Sequence, residues 1–303
     1  MNGRGSTGAI LTGTCSWTDK TLVESGWYGD ASTPEQRLAR YAEAFNVVEV
    51  DSTYYSLPSE KTAELWAERT PVTFTFDVKA FRLLTGHPAE LTSLPKDLRG
   101  RVPADIQEKK KLYLKDLPRE MSDELWKMFR QALMPLHSAG KLGVVLFQFP
   151  AWFFPGRNSH EYLARITDCL PEYRIAVEFR HGSWLNEKNQ SRTFDLLREH
   201  RFAYTSVDEP QGTRQSVPPI AVATSDIAIV RFHGRRAETW DKANVGVLER
   251  FKYLYSQDEL MEWLPKIKEL AAETREVHAL MNNCYSDFAV TNATQLAALL
   301  KDD

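Results

Sequence analysis

The chain has 303 residues, of which 43% are hydrophobic and 26% are charged, and its formal net charge is −3 with a pI near 6.2. This length allows one large α/β domain or two smaller ones, and the composition is typical of a soluble globular protein. The weak negative charge excludes a global attraction to nucleic acid or anionic membranes, so polyanion binding would need a local patch.

The cysteine content and the amino terminus indicate the compartment. Cys15, Cys169 and Cys284 are odd in number and widely spaced, which predicts reduced thiols instead of a disulfide framework or a zinc site. The first residues lack the basic and apolar regions of a secretory signal. No apolar stretch approaches the ~20 residues of a membrane span. We therefore expect a cytoplasmic protein with no membrane partner.

Short apolar segments, several of them rich in β-branched residues, predict eight strands. They are Ala9–Thr14, Asn46–Val50, Val72–Val78, Leu142–Phe147, Ile175–Val177, Phe202–Val207, Ile227–Val230 and Val277–Met281. Helical periodicity occupies most of the intervals between them. The predicted helices begin at Thr33 or cover Glu60–Arg69, Ser122–Leu136, Ser159–Leu170, Thr193–His200, Gln257–Thr274 and Thr291–Leu300. The connection Glu209–Asp226 is rich in proline and is predicted to be a loop.

Strands alternating with helices in this order predict a single (β/α)8 barrel of the TIM type, with residues 1–303 forming one domain. The alternative is an open doubly wound sheet, which is disfavoured because no glycine-rich turn follows the first strand. Residues 88–119 carry four prolines and the run Lys109–Lys111, and they form an insertion after the third strand. A substrate lid is one interpretation of this insertion, but a charge run is more typical of a solvated face.

Polar residues end the predicted strands, and the carboxyl ends of barrel strands converge on one opening. The candidate catalytic residues are Glu178, His233, Glu49 and Asp51. The candidate ligand-binding residues are Lys79, Gln148, Arg180, His181, Trp184, Arg231, Asn282, Asn283, Trp17 and Tyr54. The aromatic members of this set could stack on a sugar or a base, or could simply pack at the rim.

The fifth strand has the densest polar end. Glu178 and Arg180 share one side of the strand because side chains alternate, and they are ~6.6 Å apart along it. Arg180 would therefore lower the pKa of Glu178, whereas burial alone would raise it. We expect an ionised Glu178 that serves as base or ligand acceptor, with His233 as the proton donor.

Two interpretations of these charged strand ends stay open. The acids and the cations could pair completely and form a neutral ion network above the core. If the same network is open to solvent, it is instead a site for a small anionic or polyhydroxylated ligand. A divalent metal ion fits some of the residue types but is not favoured, because metal-binding spacings are absent and nearby cations would repel it.

The chain resembles the YecE-like family, catalogued as domain of unknown function 72, over nearly its whole length. The resemblance rests on Gly13–Trp17, Trp27–Gly29, Val48–Pro58, Phe76–Ala80, Leu146–Pro150, Ala176–Trp184, Val230–Gly234 and the segment from Asn282 to Ala293. It implies a TIM-like barrel but no activity, because none is established for the family. Cys15 stands where the family pattern leads us to expect a small residue such as serine.

The leading hypothesis is an enzyme of hydrolase, isomerase or lyase type. It would act on a small anionic or phosphorylated, sugar-like substrate by acid–base chemistry at the barrel mouth. The alternative is a non-catalytic protein that binds nucleotides or single-stranded nucleic acid. The sequence leaves the substrate, any cofactor and the oligomeric state open.

Overall fold

A computed structural model describes residues 7–213, 216–242 and 245–302. Its strands form a closed, all-parallel barrel in sequence order. The strands are β1 (Ala9–Thr14), β2 (Val47–Val50), β3 (Thr75–Lys79), β4 (Leu142–Gln148), β5 (Ile175–Glu178), β6 (Ala203–Asp208), β7 (Ile227–Phe232) and β8 (Glu276–Met281). The barrel closes where β1 pairs with β8, from Ala9 opposite Glu276 to Thr14 opposite Met281. The predicted (β/α)8 fold is confirmed.

Helices surround the barrel and cover its outer face. They are α1 (Lys20–Glu24), α2 (Pro34–Ala44), α3 (Glu60–Glu68), α4 (Lys96–Arg99), α5 (Ala104–Gln107), α6 (Arg119–Ser138), α7 (Arg157–Cys169), α8 (Gln190–Glu199), α9 (Ala237–Trp240), α10 (Val247–Arg250), α11 (Gln257–Met261), α12 (Leu264–Glu273) and α13 (Phe288–Asp302). The described part of the β6–β7 connection contains no helix, as predicted. None of the described helices has the length and apolar character needed to cross a membrane.

Local sequence signals explain where helices begin and end. At the start of α2, the Thr33 hydroxyl accepts a hydrogen bond from the Gln36 amide at 3.2 Å, and the Gln36 side chain accepts one from the Thr33 amide at 3.1 Å. This capping box satisfies two amides that the helix leaves unpaired. The predicted helix Gln257–Thr274 is wrong as one element. It divides into α11 and α12 where Pro265 occupies the first turn of α12 and removes a backbone donor.

The insertion at residues 88–119 contains α4, α5 and short 3₁₀ turns. An isolated antiparallel β-bridge between Ala89 and Leu112 joins its two ends. Its side chains Leu94, Leu98 and Val102 are buried in the same hydrophobic core as the barrel strands. The lysines of Lys109–Lys111 are exposed. The insertion therefore has a solvated charged face, but apolar contacts anchor it to the barrel.

The barrel interior contains a polar contact midway along β3 and β8. Asp77 of β3 accepts a hydrogen bond from the Val144 amide at 2.9 Å, and its other oxygen is 2.8 Å from His278 Nδ1 of β8. β3 and β8 are not neighbours, so this contact crosses the interior. Gly143 leaves space for it, since a Cβ there would lie 2.2 Å from Asp77 Oδ1. Side-chain alternation then directs Lys79, two residues after Asp77, into the carboxyl-terminal mouth.

Candidate active site at the barrel mouth

A buried arginine joins three strands beneath the mouth. Arg231 of β7 donates from Nε and Nη2 to the two carboxylate oxygens of Glu49 on β2, both at 2.8 Å. Its Nη1 donates to Glu178 of β5. All three side chains are at most 1% exposed. The bidentate geometry and the second carboxylate give Arg231 two anionic partners, which offsets much of the cost of burying its charge.

Glu178 is the acceptor on which several donors converge. Its Oε1 accepts a hydrogen bond from Arg180 at 3.1 Å and lies 3.2 Å from His233 Nε2. Burial alone would raise the pKa of Glu178, but Arg231, His233 and Arg180 together hold that pKa well below its usual range. This agrees with the ionised state expected from the sequence, although Arg231 is a stronger partner than Arg180.

His233 is held by hydrogen bonds on both ring nitrogens. Its Nδ1 is 2.8 Å from the side-chain nitrogen of Asn282, which can only donate, so Nε2 carries the proton that faces Glu178. Burial lowers the pKa of His233 to about 3. The imidazole is thus neutral near pH 7 and fully engaged. This argues against the proton-donor role predicted from the sequence, because a neutral imidazole is a weak acid.

Two titratable groups at the mouth lie outside this network. No described residue forms a hydrogen bond or an ion pair with the Lys79 amine, whose Nζ lies 4.9 Å from the centre of the Tyr54 ring. Burial and the Arg231 charge lower the pKa of Lys79. The Asp51 carboxyl likewise has no hydrogen-bond partner among the described residues, and burial raises its pKa to about 6. Val50 pairs with Val78, which places Asp51 beside Lys79.

The rim next to Lys79 is cationic and aromatic. The Arg82 guanidinium lies 5.1 Å from the Tyr54 ring centre, and the His87 ring lies 5.5 Å from it. Arg82 Nε is buried and has no hydrogen-bond partner within the described chain. Burial, together with the charges of Lys79, Arg82 and Arg180, lowers the pKa of His87 to about 3. His87 therefore experiences a positive potential.

A second side of the mouth contains Glu209, a residue that the sequence did not single out. Glu209 accepts a hydrogen bond from Arg180 at 3.0 Å and another from the Val217 amide at 2.8 Å. Burial raises the pKa of Glu209 to about 7. The Arg180 guanidinium also stacks on Trp240, 4.7 Å from the ring centre. Glu209 directly follows β6, so its position at a strand end could have identified it from the sequence as a residue of the mouth. Trp240 does not follow a strand directly, and no feature of the sequence indicated that it would reach the mouth.

Three predicted ligand-binding residues are structural instead. Trp17 is 5% exposed and Trp184 is fully buried, so neither ring can stack on a ligand. Trp184 donates its indole proton to the Phe153 carbonyl at 2.6 Å. Asn283 is buried and donates to the Tyr253 carbonyl at 2.8 Å. In this structure, the three side chains are therefore buried within the protein and not presented to a ligand.

The remaining predicted site residues differ in how accessible their side chains are to a ligand. Arg231 is too deeply buried to contact a ligand directly, which corrects its predicted binding role. Gln148 is partly buried at the end of β4, opposite Glu178 of β5. His181 Nδ1 caps the turn that follows β5 by accepting from the Ser183 amide at 3.2 Å. Among the described residues, no group of three or more His, Cys, Asp or Glu side chains is arranged to hold a metal ion.

A closed parallel barrel with polar side chains gathered at its carboxyl-terminal mouth defines a TIM-type barrel protein. Residues 11–303 match the family model described as "Protein of unknown function DUF72", so the chain belongs to that family. It is 30% identical to the UPF0759 protein YunF of Bacillus subtilis over 295 residues, which covers 96% of this chain and 94% of YunF. It is 25% identical to the UPF0759 protein YecE of Escherichia coli K12 over 214 residues, 65% of this chain and 66% of YecE.

Solved structures agree with the fold. A DUF72 family protein (TM1631) from Thermotoga maritima superposes with a TM-score of 0.76 at 30% identity, covering 97% of this chain and 99% of that one. A DUF72 family protein (EF0366) from Enterococcus faecalis gives 0.74 at 24% identity, covering 97% and 98%. The names of these relatives state no activity.

Proposed function

We propose that this chain is an enzyme that binds a small anionic, phosphorylated or sugar-like substrate at the barrel mouth and acts on it by acid–base chemistry. The observation that carries the proposal is the pair Asp51 and Lys79. These side chains stand beside each other without structural partners, and burial moves both pKa values towards neutrality. General acid–base catalysis is most efficient with groups that titrate near the working pH.

The cations support an anionic substrate. Glu49 and Glu178 form ion pairs with Arg231 and Arg180, and neither forms one with Lys79 or Arg82 among the described residues. The buried, unpartnered Nε of Arg82 is a donor that a phosphate or carboxylate oxygen would satisfy. An anion at this position would be attracted by the same positive potential that acts on His87.

The aromatic rim supports a sugar-like substrate. Trp152 is 55% exposed, and its ring centre lies 5.7 Å from that of His87, which in turn packs against Tyr54. Flat aromatic surfaces beside polar groups are suited to stacking on a sugar ring.

The binding test uses isothermal titration with ribose 5-phosphate, inorganic phosphate and ribose. We expect the phosphorylated ligands to bind more tightly than ribose, and Arg82→Met to weaken them. Loss of a charged hydrogen bond of about 1.5–3 kcal/mol corresponds to roughly ten- to 150-fold in Kd. The control is Lys127→Met, which removes an exposed cation from α6 and should leave Kd unchanged. Equal binding of ribose and its phosphate, or equal losses in both variants, would refute an anion site at Arg82.

The catalytic test uses Asp51→Asn. Parent protein incubated with a panel of sugar phosphates is followed by ¹H and ³¹P NMR until one substrate is converted. For that substrate, we expect Asp51→Asn to reduce turnover about 10²–10⁴-fold while leaving its Kd within a few-fold of the parent value. Unchanged turnover in the variant would exclude Asp51 as the acid–base group.

A nucleotide or single-stranded nucleic acid is the second candidate ligand. The exposed rings of Tyr55, Trp152 and Phe154 favour it, because bases stack on such surfaces. Binding of a fluorescent oligonucleotide should then weaken steeply with salt, since each neutralised phosphate releases counterions. Absent or salt-independent binding would eliminate this candidate.

A further inference from the structure

We propose that Lys79 forms a covalent imine with an aldehyde or ketone group of the substrate. This inference rests on the proposed function, because it assigns a chemical class to the ligand of the same mouth. The substrate would then be a small carbonyl compound that also carries an anionic group.

The Lys79 amine is positioned by its strand. Its backbone carbonyl accepts a hydrogen bond from Thr53 Oγ1 at 2.6 Å, which fixes the end of β3. Asp77, two residues earlier, contacts His278 across the barrel interior, so alternation directs Lys79 inward above it. The amine then lies 4.9 Å from the Tyr54 ring centre.

The surroundings of Lys79 leave its amine unpaired. No described acid forms an ion pair with it, although the charges of Glu49, Glu178 and Asp51 raise its pKa. Burial and the charge of Arg231 outweigh them, so the pKa of Lys79 is lowered. Lysines that attack carbonyl groups are activated by desolvation and by a neighbouring cation.

Lys141 shows what a structural buried lysine looks like in the same chain. Its Nζ donates three hydrogen bonds, to the Ala67 carbonyl at 2.6 Å, the Thr70 carbonyl at 2.7 Å and the Thr70 hydroxyl at 3.0 Å. These acceptors engage the Lys141 amine and block its approach to a carbonyl carbon. Lys79 has no such acceptors among the described residues, which distinguishes a reactive from a structural environment.

The reaction balances with groups at the mouth. The Nζ lone pair of Lys79 attacks the carbonyl carbon, and the proton lost from nitrogen moves to the carbonyl oxygen to give a neutral carbinolamine. The protonated Asp51 carboxyl then gives its proton to the hydroxyl group, the C–O bond breaks and water leaves. The products are a protonated imine, one water molecule and the Asp51 carboxylate, which the adjacent positive charge stabilises.

The test traps the imine by reduction. Parent protein is incubated with dihydroxyacetone phosphate or pyruvate and sodium cyanoborohydride, whose hydride converts the imine to a stable secondary amine. Peptide mass spectrometry then compares modification at Lys79 with that at Lys141 and at the exposed Lys127. We expect at least about a tenfold excess at Lys79, because its amine is unpaired among the described residues and a bound carbonyl group would be held beside it. Lys79→Arg keeps a cation but should abolish the specific label.

The outcomes separate this inference from the proposed function. Modification of Lys79 no greater than that of Lys127 would overturn the imine, even if sugar phosphates still bind by titration. Specific trapping of neutral dihydroxyacetone as readily as of its phosphate would support the imine but contradict the anion preference. Asp51→Asn should slow trapping at Lys79 several-fold, and its circular dichroism spectrum should match that of the parent protein.

Discussion

Replacing Glu178 with glutamine tests whether the charges under the mouth act as a structural network. Glu178 is fully buried and accepts hydrogen bonds from Arg231 and Arg180. Breaking a buried ion pair by removing one charge costs about 3–5 kcal/mol. Here Arg231 keeps both bonds to Glu49 at 2.8 Å, and Arg180 keeps Glu209 at 3.0 Å. We therefore expect the lower end of this range, about 3 kcal/mol.

The free energy of unfolding is measured by urea denaturation at neutral pH. The matched control is Glu64→Gln, which breaks an exposed pair with Lys61 at 3.2 Å, where about 0–1 kcal/mol is expected. A loss below about 1 kcal/mol for Glu178→Gln would refute a structural role for the network. Glu178 would then again be a candidate catalytic residue.

The stability difference between the parent and Glu178→Gln should depend on pH in a predictable direction. The folded pKa of Glu178 is held below its usual range, so its stabilising contribution is present above the unfolded pKa of about 4.3. The contribution is lost as the pH falls through the folded pKa. The difference in stability between the parent and Glu178→Gln should therefore be constant near neutrality and shrink in acid.

Three further outcomes follow from the interior and the mouth. Burial would lower the pKa of His278, but Asp77 raises it to about 9. The stabilising effect of protonated His278 is therefore complete below about pH 6.5 and is lost as the pH rises through 9. Urea midpoints should fall over that interval in the parent protein but not in His278→Asn. Gly143→Ala should cost about 1–3 kcal/mol in urea denaturation, because its Cβ would lie 2.2 Å from Asp77 Oδ1. Carboxylate NMR should give Asp51 a pKa of about 6, and Lys79→Met should raise it, because Lys79 opposes the effect of burial.

The strand pattern predicted the fold because each buried strand is a short apolar segment with a polar end. Two of the predicted element boundaries were wrong. Pro265 divides a predicted long helix, and Val72 is 83% exposed because β3 begins only at Thr75. The apolar character of residues 72–74 suggested a strand, but pairing with β2 starts at Thr75 opposite Val47.

The sequence also predicted which strand ends meet, since alternation correctly placed Glu178 and Arg180 together, and Arg231 with His233. It could not predict their depth in the barrel. Arg231 and Lys79 both occur at strand ends, yet the Arg231 side chain is 1% exposed whereas Lys79 is only partly buried. Depth depends on the stagger of neighbouring strands, which only the closed barrel defines.

This stagger reconciles the two interpretations that the sequence left open. The lower layer is a paired network, in which Arg231 pairs with Glu49 and Glu178, and Arg180 also pairs with Glu178. The upper layer contains Lys79 and Asp51 without structural partners. The charge of Arg231 lowers the pKa of Lys79, whereas the charges of Glu49 and Glu178 raise it. Within the network, Arg231 therefore favours the unprotonated amine that the proposed imine chemistry requires.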